Sequence, residues 1–285
     1  MNYELFRIAI LLIGAAIAAY QDFRTSYIDD KLTIGMIVVG LILDLMTFDW
    51  NFILYSVGVG AVIFAIGYYF YKTGQIGGGD VLLVSAIQLL LPFYPTIVQQ
   101  FQYPFSIAVT SVPLIITIFA TSALISLVGT ALMYGWKLRG KPLKPNVKDS
   151  ILSLILVAII IISIYYFSFF GVYQILFLAL LVIPTLFLAL FKNQILEDII
   201  IQRVPFREVE DEDILAVEKM PELNKYNLQK VATKDQMVLL KKISDKNKKQ
   251  KFYVYKNLPR MAPYIFLGIV LTLALGNPFA WILFK

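Results

Sequence analysis

The chain contains neither cysteine nor histidine. Disulfides, thiol nucleophiles, Cys or His metal sites and Ser–His triads are therefore excluded. Any chemistry must come from carboxylates, hydroxyls, Lys, Arg or Tyr. Acids near or inside apolar stretches are the first candidates, because burying them in a membrane is costly and usually marks a function. They are Asp22, Asp29, Asp30, Asp44 and Asp80, with Glu4 and Asp49 at positions water can reach. Two carboxylates sharing a site cannot both ionise cheaply, so the pair holds one proton between them. The ionised member can take a proton from water while the protonated member hydrogen-bonds a scissile carbonyl, which is a route to peptide hydrolysis.

The elements that must position these acids are apolar. Of 285 residues, 59% are hydrophobic and 15% charged, against about 25% charged in an ordinary soluble domain. The mean hydropathy is +0.75. This much apolar surface cannot be hidden in one globular core, so its solvent must be lipid. A span needs about 20 mostly apolar residues. Eight runs qualify, at approximately 4–20, 31–47, 52–71, 81–98, 105–134, 150–168, 171–191 and 261–284. Pro92 and Pro95 interrupt the fourth. The sixth and seventh share one block split at Phe169-Phe170-Gly171, which reads as a tight hairpin or as one long helix plus a re-entrant piece. The first run is followed by Tyr20-Gln21-Asp22-Phe23-Arg24 instead of a small-residue cleavage site, so it reads as a span and not as a signal peptide. The predicted fold class is an all-α polytopic membrane protein of about eight transmembrane helices, with a small cytoplasmic α/β insert before the last. Residues 1–191 form the membrane core, 192–260 the cytoplasmic domain and 261–285 the last helix.

The cations give an orientation. Loops after the first, third, fifth and seventh runs hold 23 of the 25 Lys and Arg residues, and only Arg7 and Lys285 fall elsewhere. The positive-inside rule then predicts the N-terminus and C-terminus outside and the basic loops in the cytoplasm. The net charge of +6 is thereby explained without a nucleic-acid partner. Within 192–260, the stretches 237–243 and 252–255 flank a polar run and are predicted to form a β-hairpin.

This topology pairs two acids. Asp22 ends the first span and Asp80 opens the fourth, both on the predicted cytoplasmic side and 58 positions apart. Asp44 lies towards the opposite side, where pairing or snorkelling explains it. Asp80 is preceded by Gly77-Gly78-Gly79, which breaks the chain, tolerates positive φ and lets backbone approach a neighbour closely. A plain interhelical turn with Asp80 as N-cap explains the same run.

Gly77-Gly78-Gly79-Asp80 resembles the G-x-G-D motif of the GxGD aspartyl proteases. The segment Gln21 to Thr33 resembles the first aspartate segment of type IV prepilin peptidases, especially the archaeal preflagellin type. In presenilin-type members the first aspartate lies inside a span adjacent in order to the second, whereas here two spans intervene. The segment Pro259-Arg260-Met261-Ala262-Pro263-Tyr264 and the last span also resemble the C-terminal part of archaeal members. The resemblance implies that Asp22 and Asp80 are the catalytic pair and that Gly77 and Gly79 shape the site. It implies an aspartic endopeptidase that cuts short basic leader peptides from preflagellin- or prepilin-like subunits at the cytoplasmic face of the cell membrane, without cofactor or metal. Bacterial members often carry a cysteine motif between the first two spans, linked to N-methylation. Its absence here implies cleavage without methyl transfer.

Asp29 and Asp30 could hold the basic residues of such a leader, or simply cap the second span. Arg24 and Lys31 are explained as topological cations. The acidic run 208–213 and the basic run 241–251 read as solvated faces, the latter able to touch anionic headgroups. An alternative for the whole chain is a cation-coupled transporter or channel that uses the same membrane carboxylates.

Overall fold

The computed structural model describes residues 3–96, 113–146, 172–210, 213–246 and 250–277, with isolated residues between 151 and 162. The predicted sixth run, the start of the fifth and the end of the eighth lie mostly outside them. The helices are α1 (Tyr3–Thr25), α2 (Asp30–Leu45), α3 (Trp50–Lys72), α4 (Gly78–Leu90), α5 (Leu114–Leu138), α6 (Val172–Leu190), α7 (Lys234–Lys246) and α8 (Met261–Leu275). The protein is mostly helical, with one small sheet.

Among the described residues, α1, α3 and α5 are long and apolar enough to cross a membrane. A fourth span results if α6 and the helical piece Lys192–Ile200, bent by 67° between them, count as one. The remaining apolar helices are shorter than the sequence predicts. At 1.5 Å per residue, α4 is only about 20 Å long, short of a hydrocarbon core of about 30 Å. It ends because Leu91 precedes Pro92, which disfavours the helical region; Leu91 sits at φ −143°, ψ 72°.

The helices divide the work between lipid and core. α3 buries only Ser56 and Gly60 and leaves Leu54, Val62, Phe64 and Ile66 exposed. A helix apolar nearly all round, and covered by protein mainly where α4 packs on it, is suited to lipid on its remaining faces. α4 is the opposite: every residue from Ser85 to Leu90 is buried. It packs on α2 and α3 and touches α1. The largest apolar core joins Leu11, Ala15 and Ala18 of α1 to Leu83 and Ile87 of α4 and to Ile265 and Ile269 of α8.

α8 lies between α1 and α5, held by small residues. A Cβ on Gly268 would collide with Ser122, and one on Gly129 would come within 2.5 Å of the Tyr264 ring. The facing stripe of α5 is Thr117, Thr121, Ser122, Ser126 and Thr130, all buried. Such small polar interfaces let helices approach closely where lipid gives no hydrophobic drive to associate.

The sheet is antiparallel in the order β1-β3-β2, from β1 (Ile201–Pro205), β2 (Ile214–Leu215) and β3 (Lys251–Tyr255). Ile201 and Ile214 both pair with Tyr255, from opposite sides. The predicted hairpin is corrected here. Residues 252–255 are a strand, but 237–243 belong to α7. Leu240 and Ile243 are buried and Met237 packs on the same core, with Val238 exposed. That three-residue spacing is one face of a helix, which a short apolar window conceals.

Candidate active site

Asp22 lies in the last turn but one of α1, buried at 7% exposure. The helix runs past it to Thr25 and closes with Ser26 in the left-handed region at φ 57°, where the Ser26 amide bonds the Asp22 carbonyl at 2.9 Å. Asp80 is the third residue of α4. Gly77 is the N-cap, so Asp80 is not. Asp80 stands at the third helical position, where the acid of a capping box sits, and its Oδ2 lies beside Gly77. A carboxylate in a first helical turn also meets the positive end of the helix dipole.

α1 ends where α4 begins, and the two carboxylates lie close enough to repel each other. Oδ1 of Asp80 is buried and makes no hydrogen bond among the described residues. Oδ2 of Asp22 accepts a 3.0 Å bond from the amide of Ala262, 240 positions away. Ala262 is the second residue of α8, and the amides of a helix's first turn have no partner within the helix. Arg260 lies close enough to act electrostatically on Asp22. It donates to the Phe23 carbonyl and, at 3.2 Å, to Ser26 Oγ.

The glycines work by proximity. None of Gly77, Gly78 and Gly79 has a positive φ; the left-handed turn upstream is made by Gly74 at φ 71°. A Cβ on Gly79 would stand 2.9 Å from Ile28 Cβ. Gly79 therefore lets the α1–α2 connection rest on the first turn of α4. A Cβ on Gly77 would stand 3.1 Å from Asp80 Oδ2, so this position shapes the room around the carboxylate.

Asp29 is the N-cap of α2, its carboxylate accepting from the Lys31 amide at 3.0 Å. The Asp29 amide in turn bonds Gln21 Oε1 at 3.1 Å, beside Asp22 in sequence. Asp30 is the exposed first residue of α2. Asp44 stands apart, buried and paired with Arg7 at 2.7 Å. Arg7, an exception to the charge alternation, is thus no loop cation. Sequence reasoning missed Arg260 and the Ala262 amide as parts of the site. Their signals were the resemblance of the segment 259–264 and a cation immediately before the last helix, whose third residue, Pro263, lacks the next amide hydrogen.

A model of the type IV leader peptidase family matches residues 9–131. That segment belongs to the type IV leader peptidase family. The leader-peptidase segment contains Asp22, the three glycines and Asp80, and ends inside α5. The resemblance seen in the two aspartate motifs therefore holds at the level of the family. The prepilin peptidase EppA of Methanothermobacter thermautotrophicus is 38% identical over 104 residues, covering 35% of this chain and 27% of that protein. The preflagellin peptidase of Methanococcus voltae is 37% identical over 90 residues, 30% of this chain and 38% of its own. That of Methanocaldococcus jannaschii is 30% identical over 86 residues, 29% and 36% of the two chains. The chain thus spans between 27% and 38% of the length of these relatives. No solved structure matches.

Proposed function

We propose that this chain is a multi-pass membrane aspartyl endopeptidase that removes short basic leaders from preflagellin- or prepilin-like subunits at the cytoplasmic face. The observation that carries this reading is that Asp22 and Asp80, at helix ends far apart in sequence, lie within electrostatic reach of each other inside the segment that matches the leader peptidases. Eight spans, a cytoplasmic domain at 192–260 and an outside N-terminus belong to the same reading and rest on the charge alternation.

The chemistry follows from what surrounds each acid. The Ala262 amide and Arg260 make Asp22 the better seat for the negative charge. Asp80 Oδ1, buried and unpaired among the described residues, carries the shared proton. Asp22 takes a proton from a water whose oxygen attacks the scissile carbonyl carbon. Asp80 gives its proton to the carbonyl oxygen as that carbon becomes tetrahedral. The C–N bond then breaks as the proton held by Asp22 passes to the leaving amine, and one hydroxyl of the gem-diol returns its proton to Asp80 as the new carboxyl group forms. Asp30, exposed at the start of α2, and the capping Asp29 offer negative charge to the basic residues before the cleaved bond.

The test is to incubate membranes bearing this protein with a tagged preflagellin. A shortened product that vanishes with Asp80→Asn supports the proposal. An uncut preflagellin, or an Asp80→Asn protein that still cuts it, refutes it. A cation transporter would give ion flux and no product.

A further inference from the structure

We infer that Arg260 is a positioning residue that latches the end of α1 to the start of α8 and so holds the Asp22 carboxylate on the Ala262 amide. The inference rests on the proposed function for what the latch serves. Arg260 lies outside the leader-peptidase segment, which ends at residue 131.

The latch has three contacts on one turn of α1. The guanidinium donates through Nη1 to the Phe23 carbonyl, through Nε to Ser26 Oγ at 3.2 Å, and lies 5.4 Å from the Phe23 ring centroid. The Phe23 carbonyl is one that the ending helix leaves without an internal partner. Ser26 carries the unfavourable positive φ that closes α1, so the guanidinium grips a residue whose backbone is held away from its preferred region. Ala262 is two residues further along, and its amide reaches Asp22 at 3.0 Å. A grip at 260 therefore decides where that amide sits.

The other side of Arg260 is held as well. The link from β3 to α8 is pinned by the Lys256 amide on the Ile200 carbonyl at 2.8 Å and by the Lys256–Asp213 ion pair at 2.8 Å. Asn257 donates to the Ile199 carbonyl at 3.1 Å and accepts from Tyr134 of α5 at 3.2 Å. Val231, bridged to Ile214 of β2, also meets the connection leading to Asp80, where a Cβ on Gly74 would stand 3.6 Å from it. The sheet thus braces the approaches to both acids. Lysine cannot replace the grip in full, because its ammonium lacks the planar fork that serves two acceptors at once.

The experiment compares Arg260→Ala, Arg260→Lys and Arg24→Ala with the parent, at matched protein levels. Arg24 sits on the same turn but bonds only Tyr20 of its own helix and makes no contact with α8 among the described contacts. Arg260→Ala is expected to lower kcat about 10- to 100-fold, the scale of a small misplacement of a reacting group, with KM nearly unchanged. Added guanidinium should restore part of the rate, Arg260→Lys should fall between, and Arg24→Ala should match the parent. Amide hydrogen exchange across 20–28 should quicken in Arg260→Ala, whether or not the protein cuts any leader. Unchanged exchange in that segment overturns the latch. So does an unchanged kcat, or a loss confined to KM, in a protein that cuts. A parent without activity but with quickened exchange in the variant refutes the proposed function and leaves the latch standing. If Arg260→Ala fails to accumulate, Arg260→Lys and Ser26→Ala give the same two readouts, and parent-like values in both overturn the inference.

Discussion

Arg7 and Asp44 form a buried ion pair of 2.7 Å, about 22 Å along α1 from Asp22 at 1.5 Å per residue. Asp44 also accepts from Ser56 Oγ at 2.5 Å, and Arg7 donates to the Leu89 and Leu90 carbonyls at 3.2 Å each. One guanidinium thus ties α1 and α2 to the last carbonyls of α4, and Ser56 adds α3. Removing one partner leaves the other charge buried and unpaired, a loss of about 3–5 kcal/mol. Asp44→Asn should therefore lower thermal stability and accumulation while the rate per folded molecule stays near normal. Arg7→Met combined with Asp44→Leu should recover part of the stability. Parent-like melting of Asp44→Asn would show that the pair contributes little.

At the opposite end of α1, the acids should behave as a unit. Asp22→Asn and Asp80→Asn keep shape and hydrogen bonding but cannot exchange the proton. Each should reduce cleavage by roughly three or more orders of magnitude, and the double variant should cost little more, since residues acting together are strongly non-additive. The measurement is the leader-cleavage rate of all three proteins at matched insertion. Multiplicative losses would mean independent roles.

The glycine requirement should be positional. Gly79→Ala places a methyl 2.9 Å from Ile28 Cβ, whereas Gly35→Ala meets nothing within 4 Å. Overpacking of this kind costs about 1–3 kcal/mol, and here it would push the α1–α2 connection off Asp80's helix. Cleavage and melting temperature should both fall in Gly79→Ala and neither in Gly35→Ala. Equal behaviour of the two would mean that the close approach is dispensable.

The orientation can be read with single cysteines, because the chain has none of its own. Asp49→Cys should react with an impermeant thiol reagent applied to intact cells. Lys144→Cys and Asp245→Cys should react only after the membrane is opened. Labelling of position 144 from outside would reverse the proposed cytoplasmic placement of the site.

The sequence by itself determined the apolar character of the chain, the candidate acids and the family of residues 9–131. Those properties depend on residue types and local spacing, and they survive without knowing which helices touch. That a helix starts close to Asp80 was legible for the same reason, although it starts at Gly78, with Gly77 and not Asp80 as its N-cap. Tertiary structure decided the rest. α4 could stop at Leu90 and still be buried because α1, α2 and α3 cover it, which no apolar run reports. Residues 237–243 became helical because Leu240 and Ile243 found a core to face, and a run as short as Met237-Val238-Leu239-Leu240-Lys241-Lys242-Ile243 does not by itself decide between the two periods. Arg7 looked like a stray cation until its partner appeared on another helix. Asp22 took a bond from Ala262, 240 positions away, because α8 fits between α1 and α5 only where glycine and serine let it approach. Such contacts depend on the relative placement of distant helices, and residue spacing along one chain carries no record of that placement.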